Sequence, residues 1–90
     1  MKNLNLNLKK IYFDEIKNGT KEFEYRLVTP YWKKRLENKE YDQIIIKCGY
    51  PKKGDLDKEV IRLWKGYEIQ KLRHIHFGEN EVEVFAIKVN

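Results

Sequence analysis

The chain opens on strict alternation. Leu4, Leu6 and Leu8 fall on one side of an extended segment and Asn3, Asn5 and Asn7 on the other, which is the period-two pattern of a half-buried strand. The period then lengthens. Ile11, Tyr12, Phe13 and Ile16 cluster on one face of a short helix from about Lys9 to Asn18. Asn18-Gly19 stops it, because glycine takes the left-handed conformation of a helix C-terminus without a Cβ penalty. A second strand is expected from about Glu22 to Val28. Thr29-Pro30 then reads as an N-cap followed by proline at the first helical position. The helix continues through Tyr31-Trp32-Lys33-Lys34-Arg35-Leu36 and stops near Asn38, with a basic end that suits the helix dipole.

From Tyr41 onward the pattern is one of strands. Asp42 to Cys48 is a β-branched run, expected to be a central strand buried on both faces. Tyr50 to Lys58 holds Pro51, Gly54 and two aspartates and reads as a loop. Glu59 to Trp64 and Tyr67 to Phe77 flank Lys65-Gly66 and are predicted to form a hairpin. Gly78-Glu79-Asn80 makes the next turn, and Glu81 to Val89 the last strand. The order is β-α-β-α-β-β-β-β, an α+β class. An isolated hairpin is marginal in water, so about six strands are expected to curl into a small barrel, with the two short helices over its open side.

Composition narrows the picture. Ninety residues make one domain, and 41% hydrophobic with 37% charged residues is neither a disordered nor a membrane composition. The longest aliphatic run is Ile44-Ile45-Ile46, far short of a bilayer span, and Met1 to Leu6 lacks the apolar segment of a secretory signal. Cys48 is the single cysteine, so an intrachain disulfide and a cysteine-based zinc site are both excluded, and a cytoplasmic setting is expected. Basic residues outnumber acidic ones, 19 to 14, for a net charge of +5. That surplus fits a polyanionic partner such as RNA, and equally a surface charged for solubility.

The chemistry concentrates in Gly19-Thr20-Lys21-Glu22-Phe23-Glu24-Tyr25-Arg26, which spells G-x-K-x-x-E-x-R at a helix-to-strand turn. In a strand Glu24 and Arg26 share a face. Phe23, Tyr25 and Leu27 then take the opposite face, expected to be the core side. Lys21 has the wrong parity to join the charged pair unless Gly19-Thr20-Lys21 is still turn, which the freedom of Gly19 permits. Arg26 can clamp a phosphate or a base edge through paired hydrogen bonds. Lys21 can bind phosphate or act as general base, and Glu24 can orient Lys21, accept from a base amino group or exchange a proton. The structural alternative is a same-face salt bridge on a solvated surface.

This segment, with Tyr12-Phe13-Asp14-Glu15-Ile16-Lys17-Asn18 before it, resembles the ASCH domain family of the PUA-like superfamily, and the strand order is similar over nearly the whole chain. The resemblance implies a PUA-like β-barrel that holds RNA, a nucleotide or a nucleoside in a cleft beside the motif. No cofactor is expected. Some family members are amidohydrolases acting on N4-acetylcytidine, and others are reported as ribonucleases, so a hydrolase using Lys21 and Glu24 is the second expectation. The amidohydrolase pattern has threonine where this chain has Glu24, and the nearby hydroxyl, Thr20, stands at a different motif position.

Other residues are weaker candidates. Lys47, inside the β-branched run, belongs to the site if it points towards Glu24. Tyr50 opens a loop with Lys52 and Lys53, and loops at a barrel rim carry binding residues. Trp32 is expected in the core, with Lys34 and Arg35 facing any RNA. His74 and His76 share a strand face, but a third zinc ligand is not identifiable, so no metal is expected. Trp64 at its predicted hairpin tip reads as core.

Overall fold

The computed structural model describes residues 2–49, 56–73 and 80–90. Along them run β1 (Asn3–Leu8), α1 (Lys10–Lys17), β2 (Phe23–Leu27), α2 (Pro30–Leu36), β3 (Gln43–Cys48), β4 (Glu59–Leu63), β5 (Tyr67–Leu72) and β6 (Val82–Lys88), with a 3-10 turn at Leu56–Lys58. The order of two helices and six strands is the one the sequence pattern predicts. The strands form two three-stranded sheets, ordered β1-β3-β4 and β2-β6-β5. In the first, β1 runs parallel to β3 from Asn3 opposite Gln43 to Leu8 opposite Cys48, and β4 runs antiparallel to β3. The second is wholly antiparallel around β6.

The expected hairpin across Lys65-Gly66 does not form. β4 pairs with β3 and β5 with β6, so the chain changes sheet at this corner, where Gly66 takes φ 83°. Two aromatic anchors account for the parting. Trp64 packs edge-on against Tyr41 at 5.1 Å between ring centroids, beside the first sheet, while Tyr67 packs edge-on against Phe85 at 5.1 Å, on the second. The strands therefore do not close into a barrel. They make two separate sheets around one core.

That core draws Leu4, Leu6 and Leu8 from β1, Ile44 and Ile46 from β3, Phe85 and Ile87 from β6, Phe13 and Ile16 from α1 and Leu36 from α2. The alternation of β1 is realised as read. Within α1, Phe13 and Ile16 form the buried i, i+3 stripe, but Ile11 lies off it and is 62% exposed. The strand buried on both faces is β6, where Val84, Phe85, Ala86 and Ile87 are all inaccessible to solvent. In β3 only Ile44 and Ile46 are fully buried, and Gln43, Ile45 and Lys47 on the other face are half-buried. The start of α2 follows its sequence signal. Pro30 is the first helical residue, and the Thr29 hydroxyl accepts from the Trp32 N–H at 3.4 Å. Among the described residues no helix is long and apolar enough to cross a membrane.

Candidate functional site

The motif is placed by the end of α1. Gly19, at φ 81°, reverses the chain so that three donors converge on the Glu15 carbonyl: the Thr20 N–H at 3.0 Å, the Lys21 N–H at 3.1 Å and the Thr20 hydroxyl at 3.1 Å. Thr20 and Lys21 are therefore turn residues, and β2 begins only at Phe23. The Thr20 hydroxyl is committed to this turn and its residue is exposed. Residues far along the chain hold the turn in place. Asn90 Nδ2 donates to the Lys21 carbonyl at 2.7 Å and to the Ile16 carbonyl at 3.0 Å. Arg62 donates through Nη2 to the same Ile16 carbonyl at 3.1 Å and through Nε to Asn90 Oδ1 at 3.0 Å. Pattern analysis missed both, because neither lies near the motif in sequence.

The turn frees Lys21 from strand parity and brings it to the charged pair. The Glu24 carboxylate lies between two cations, with Arg26 Nη2 3.0 Å from Oε2 and Lys21 Nζ 3.8 Å from Oε1. Glu24 is the buried charged residue of the described chain, at 6% exposure. Arg26 Nη2 also reaches the Asn7 carbonyl of β1 at 3.4 Å, and the guanidinium lies 5.2 Å from the Trp32 ring centre. Its Nε is buried without a hydrogen-bond partner. Lys21 Nζ sits beside two rings, 5.3 Å from the centre of Tyr12 and 5.1 Å from that of Tyr25.

The faces of β2 are the reverse of the expected ones. Glu24 stands opposite Ile87 and Arg26 opposite Phe85, so the charged pair shares the core-facing side of the second sheet. Tyr25 and Leu27 stand opposite Ala86 and Val84 on the other side, and Leu27 is 38% exposed. An inward charged pair needs both a partner and access to water. Mutual pairing supplies the first. A cleft of about 690 Å³ supplies the second, lined by Lys21, Glu24, Tyr25 and Arg26 of the motif, Tyr12 of α1, and residues at the ends of β1 and β5. Burial pushes the Glu24 carboxyl above its ordinary value, against the opposing pull of Arg26 and then Lys21. A carboxyl so placed can accept a hydrogen bond as the anion or exchange a proton with a bound group.

Of the five site residues read from the sequence, Lys21, Glu24 and Arg26 are brought together. Lys47 is not. It lies on the face of β3 opposite Ile46, across from Glu59, and does not line the cleft. Parity explains this: Ile44 and Ile46 claim the interior, which turns Lys47 outward. Tyr50, with Lys52 and Lys53, lies outside the described residues, as do His74 and His76. Trp32 is half-buried against the core, as expected, and also meets Arg26. Arg35 stacks on the exposed Tyr31 at 3.5 Å, away from the cleft, and Lys34 is exposed. Trp64 packs against the core and Cys48 is half-buried beside it. Among the described residues no three His, Cys, Asp or Glu side chains gather in a metal-binding group. Comparison of the chain with family models, with curated proteins and with solved structures returns no match in any of the three.

Proposed function

We propose that the cleft binds RNA or a nucleotide- or nucleoside-like ligand, and that the chain is an ASCH-type domain of PUA-like kind. The observation that carries this reading is the convergence of Lys21, Glu24 and Arg26 on one concave surface beside Tyr12 and Tyr25. The chemistry suits a nucleobase attached to an anion. Glu24 accepts from base amino or imino hydrogens, Arg26 and Lys21 donate to carbonyl or phosphate oxygens, and the tyrosine rings offer flat apolar contact. The net charge of +5 assists the approach of a polyanion, and a cytoplasmic setting fits the single cysteine.

The test is titration with single-stranded RNA and with ribonucleosides, using wild type, Lys21→Ala and Arg26→Ala, with circular dichroism to confirm folding. The expected result is a loss of about tenfold or more in each variant. Unchanged affinity in both removes the site.

One observation favours a second reading, hydrolysis in the same cleft: the buried Glu24 carboxyl lies 3.8 Å from Lys21 Nζ. Glu24 would then move the proton and Lys21 serve as base or nucleophile. Incubation with N4-acetylcytidine and with single-stranded RNA separates the readings. Product that disappears in Lys21→Ala supports hydrolysis, and no product leaves binding alone.

A further inference from the structure

The cleft carries more positive charge than the motif accounts for. Among the described residues four cations line it, Lys9, Lys21, Arg26 and Arg73, against one carboxylate, Glu24. The inner charges are largely spent on each other, since Glu24 pairs with Arg26 at 3.0 Å and faces Lys21 at 3.8 Å. The outer two are different. Lys9 follows β1 and Arg73 follows β5, so they approach the cleft from the two different sheets. Both are exposed, and neither has a side-chain partner among the described residues. Leu8 and Leu72, their chain neighbours, supply apolar wall beside them. Cations set in a concave surface with low-dielectric walls focus a positive field towards the opening.

We infer that Lys9 and Arg73 form a subsite for a phosphomonoester, so that the ligand of this cleft is a nucleoside monophosphate or the phosphorylated end of an RNA. This rests on the proposed nucleotide reading of the cleft. A phosphomonoester carries close to two negative charges at neutral pH, matching two unpaired cations, whereas an internal phosphodiester carries one. Arg73 supplies a fork suited to two phosphate oxygens, and Lys9 a mobile point charge. The base then reaches inward to Glu24, Arg26 and the tyrosines.

The experiment is calorimetric titration at low salt with the four ribonucleosides, their 5′-monophosphates, and a hexaribonucleotide with and without a 5′-phosphate. Wild type is compared with the Lys9→Ala/Arg73→Ala double variant, whose exposed positions leave folding intact. On wild type at least one monophosphate binds about tenfold or more tighter than its nucleoside, and in the double variant that ratio falls to near one. A matching advantage of the 5′-phosphorylated hexamer identifies an RNA end as a source of the group. An advantage confined to the monophosphates identifies free nucleotide. Nucleosides that bind as well as their monophosphates overturn the subsite and leave the nucleotide reading standing. A wild-type preference that survives in the double variant overturns it too. Failure of every probe to bind wild type removes both.

Discussion

The Glu24–Arg26 pair sets up a stability test whose outcome follows from unequal access to water. The Glu24 side chain is 8% exposed and that of Arg26 23%. Arg26→Met keeps the side-chain bulk beside Trp32 but leaves a buried carboxylate with only Lys21 at 3.8 Å. Removing one partner of a buried pair costs about 3–5 kcal/mol, and the surviving lysine holds this case at the lower end, about 3 kcal/mol. Glu24→Gln leaves cations that still reach water and costs about 1 kcal/mol. The double variant leaves no stranded carboxylate, so its loss is about 2 kcal/mol, well short of the sum of the singles. Urea unfolding at neutral pH, with m unchanged across the set, measures all three. Repeating it as the pH is lowered shrinks the Arg26→Met loss, because the stranded carboxyl takes up a proton. Additivity within about 0.5 kcal/mol, or a Glu24→Gln loss as large as that of Arg26→Met, refutes the reasoning.

Three further outcomes are expected. The Glu24 carboxyl titrates above its ordinary 4.5, chiefly through burial. Between 4.5 and its raised folded value the native chain therefore holds more protons than the unfolded one, and stability falls as pH rises through that window. Thermal melts should show wild type losing stability relative to Glu24→Gln over that interval, and a flat or rising difference contradicts the shift. Ile46→Ala, at a fully buried position of β3, should cost about 2–5 kcal/mol in chemical denaturation, and a loss under about 1 kcal/mol would place Ile46 outside the core. Gly19→Ala meets no atom within 4 Å of its new Cβ, so its cost is backbone strain at φ +81°, about 1–2 kcal/mol. Gly19→Asn should lose less in the same melts, since asparagine tolerates this conformation.

What the sequence made legible is what short-range physics controls. The alternation of β1, the Gly19 stop and the Thr29-Pro30 start each depend on neighbours a few residues away, and each is realised. The chain's behaviour at Lys65-Gly66 is not of that kind. A glycine between two apolar runs looks the same whether the strands pair or part, and the decision lies with Tyr41 and Phe85, the ring partners of Trp64 and Tyr67. The same holds for the clamp of Arg62 and Asn90 on the motif turn, where the hydrogen bonds span 28 to 74 residues of chain. Of the candidate site, the residues of the motif were legible from turn chemistry and spacing. Lys9 and Arg73 were not, because nothing local marks an exposed cation at the end of a strand.

The inverted faces of β2 follow from a conflict between local pattern and sheet register. Phe23, Tyr25 and Leu27 alternate as a core stripe should, and Glu24 and Arg26 as a surface stripe should. On that pattern alone the strand would sit the other way round. Its neighbour β6 offers no opposing preference, being buried on both faces through Val84 to Ile87, so either facing of β2 meets apolar side chains. The decision therefore passes to whatever fixes the entry to the strand. Here that is the Glu22 carbonyl accepting from the Val89 N–H at 2.9 Å, together with the Asn90 bond to the Lys21 carbonyl. A slip of one residue would break both bonds and turn Glu24 and Arg26 to the other face of the sheet, away from Lys21. Rules of local consistency are broken in proteins at functional or strained sites, and this break sets a buried carboxylate between two cations in the lining of a cleft. A strand held against its own hydrophobic pattern by hydrogen bonds outside it is the physical reason to test Glu24 and Arg26 for the proposed ligand.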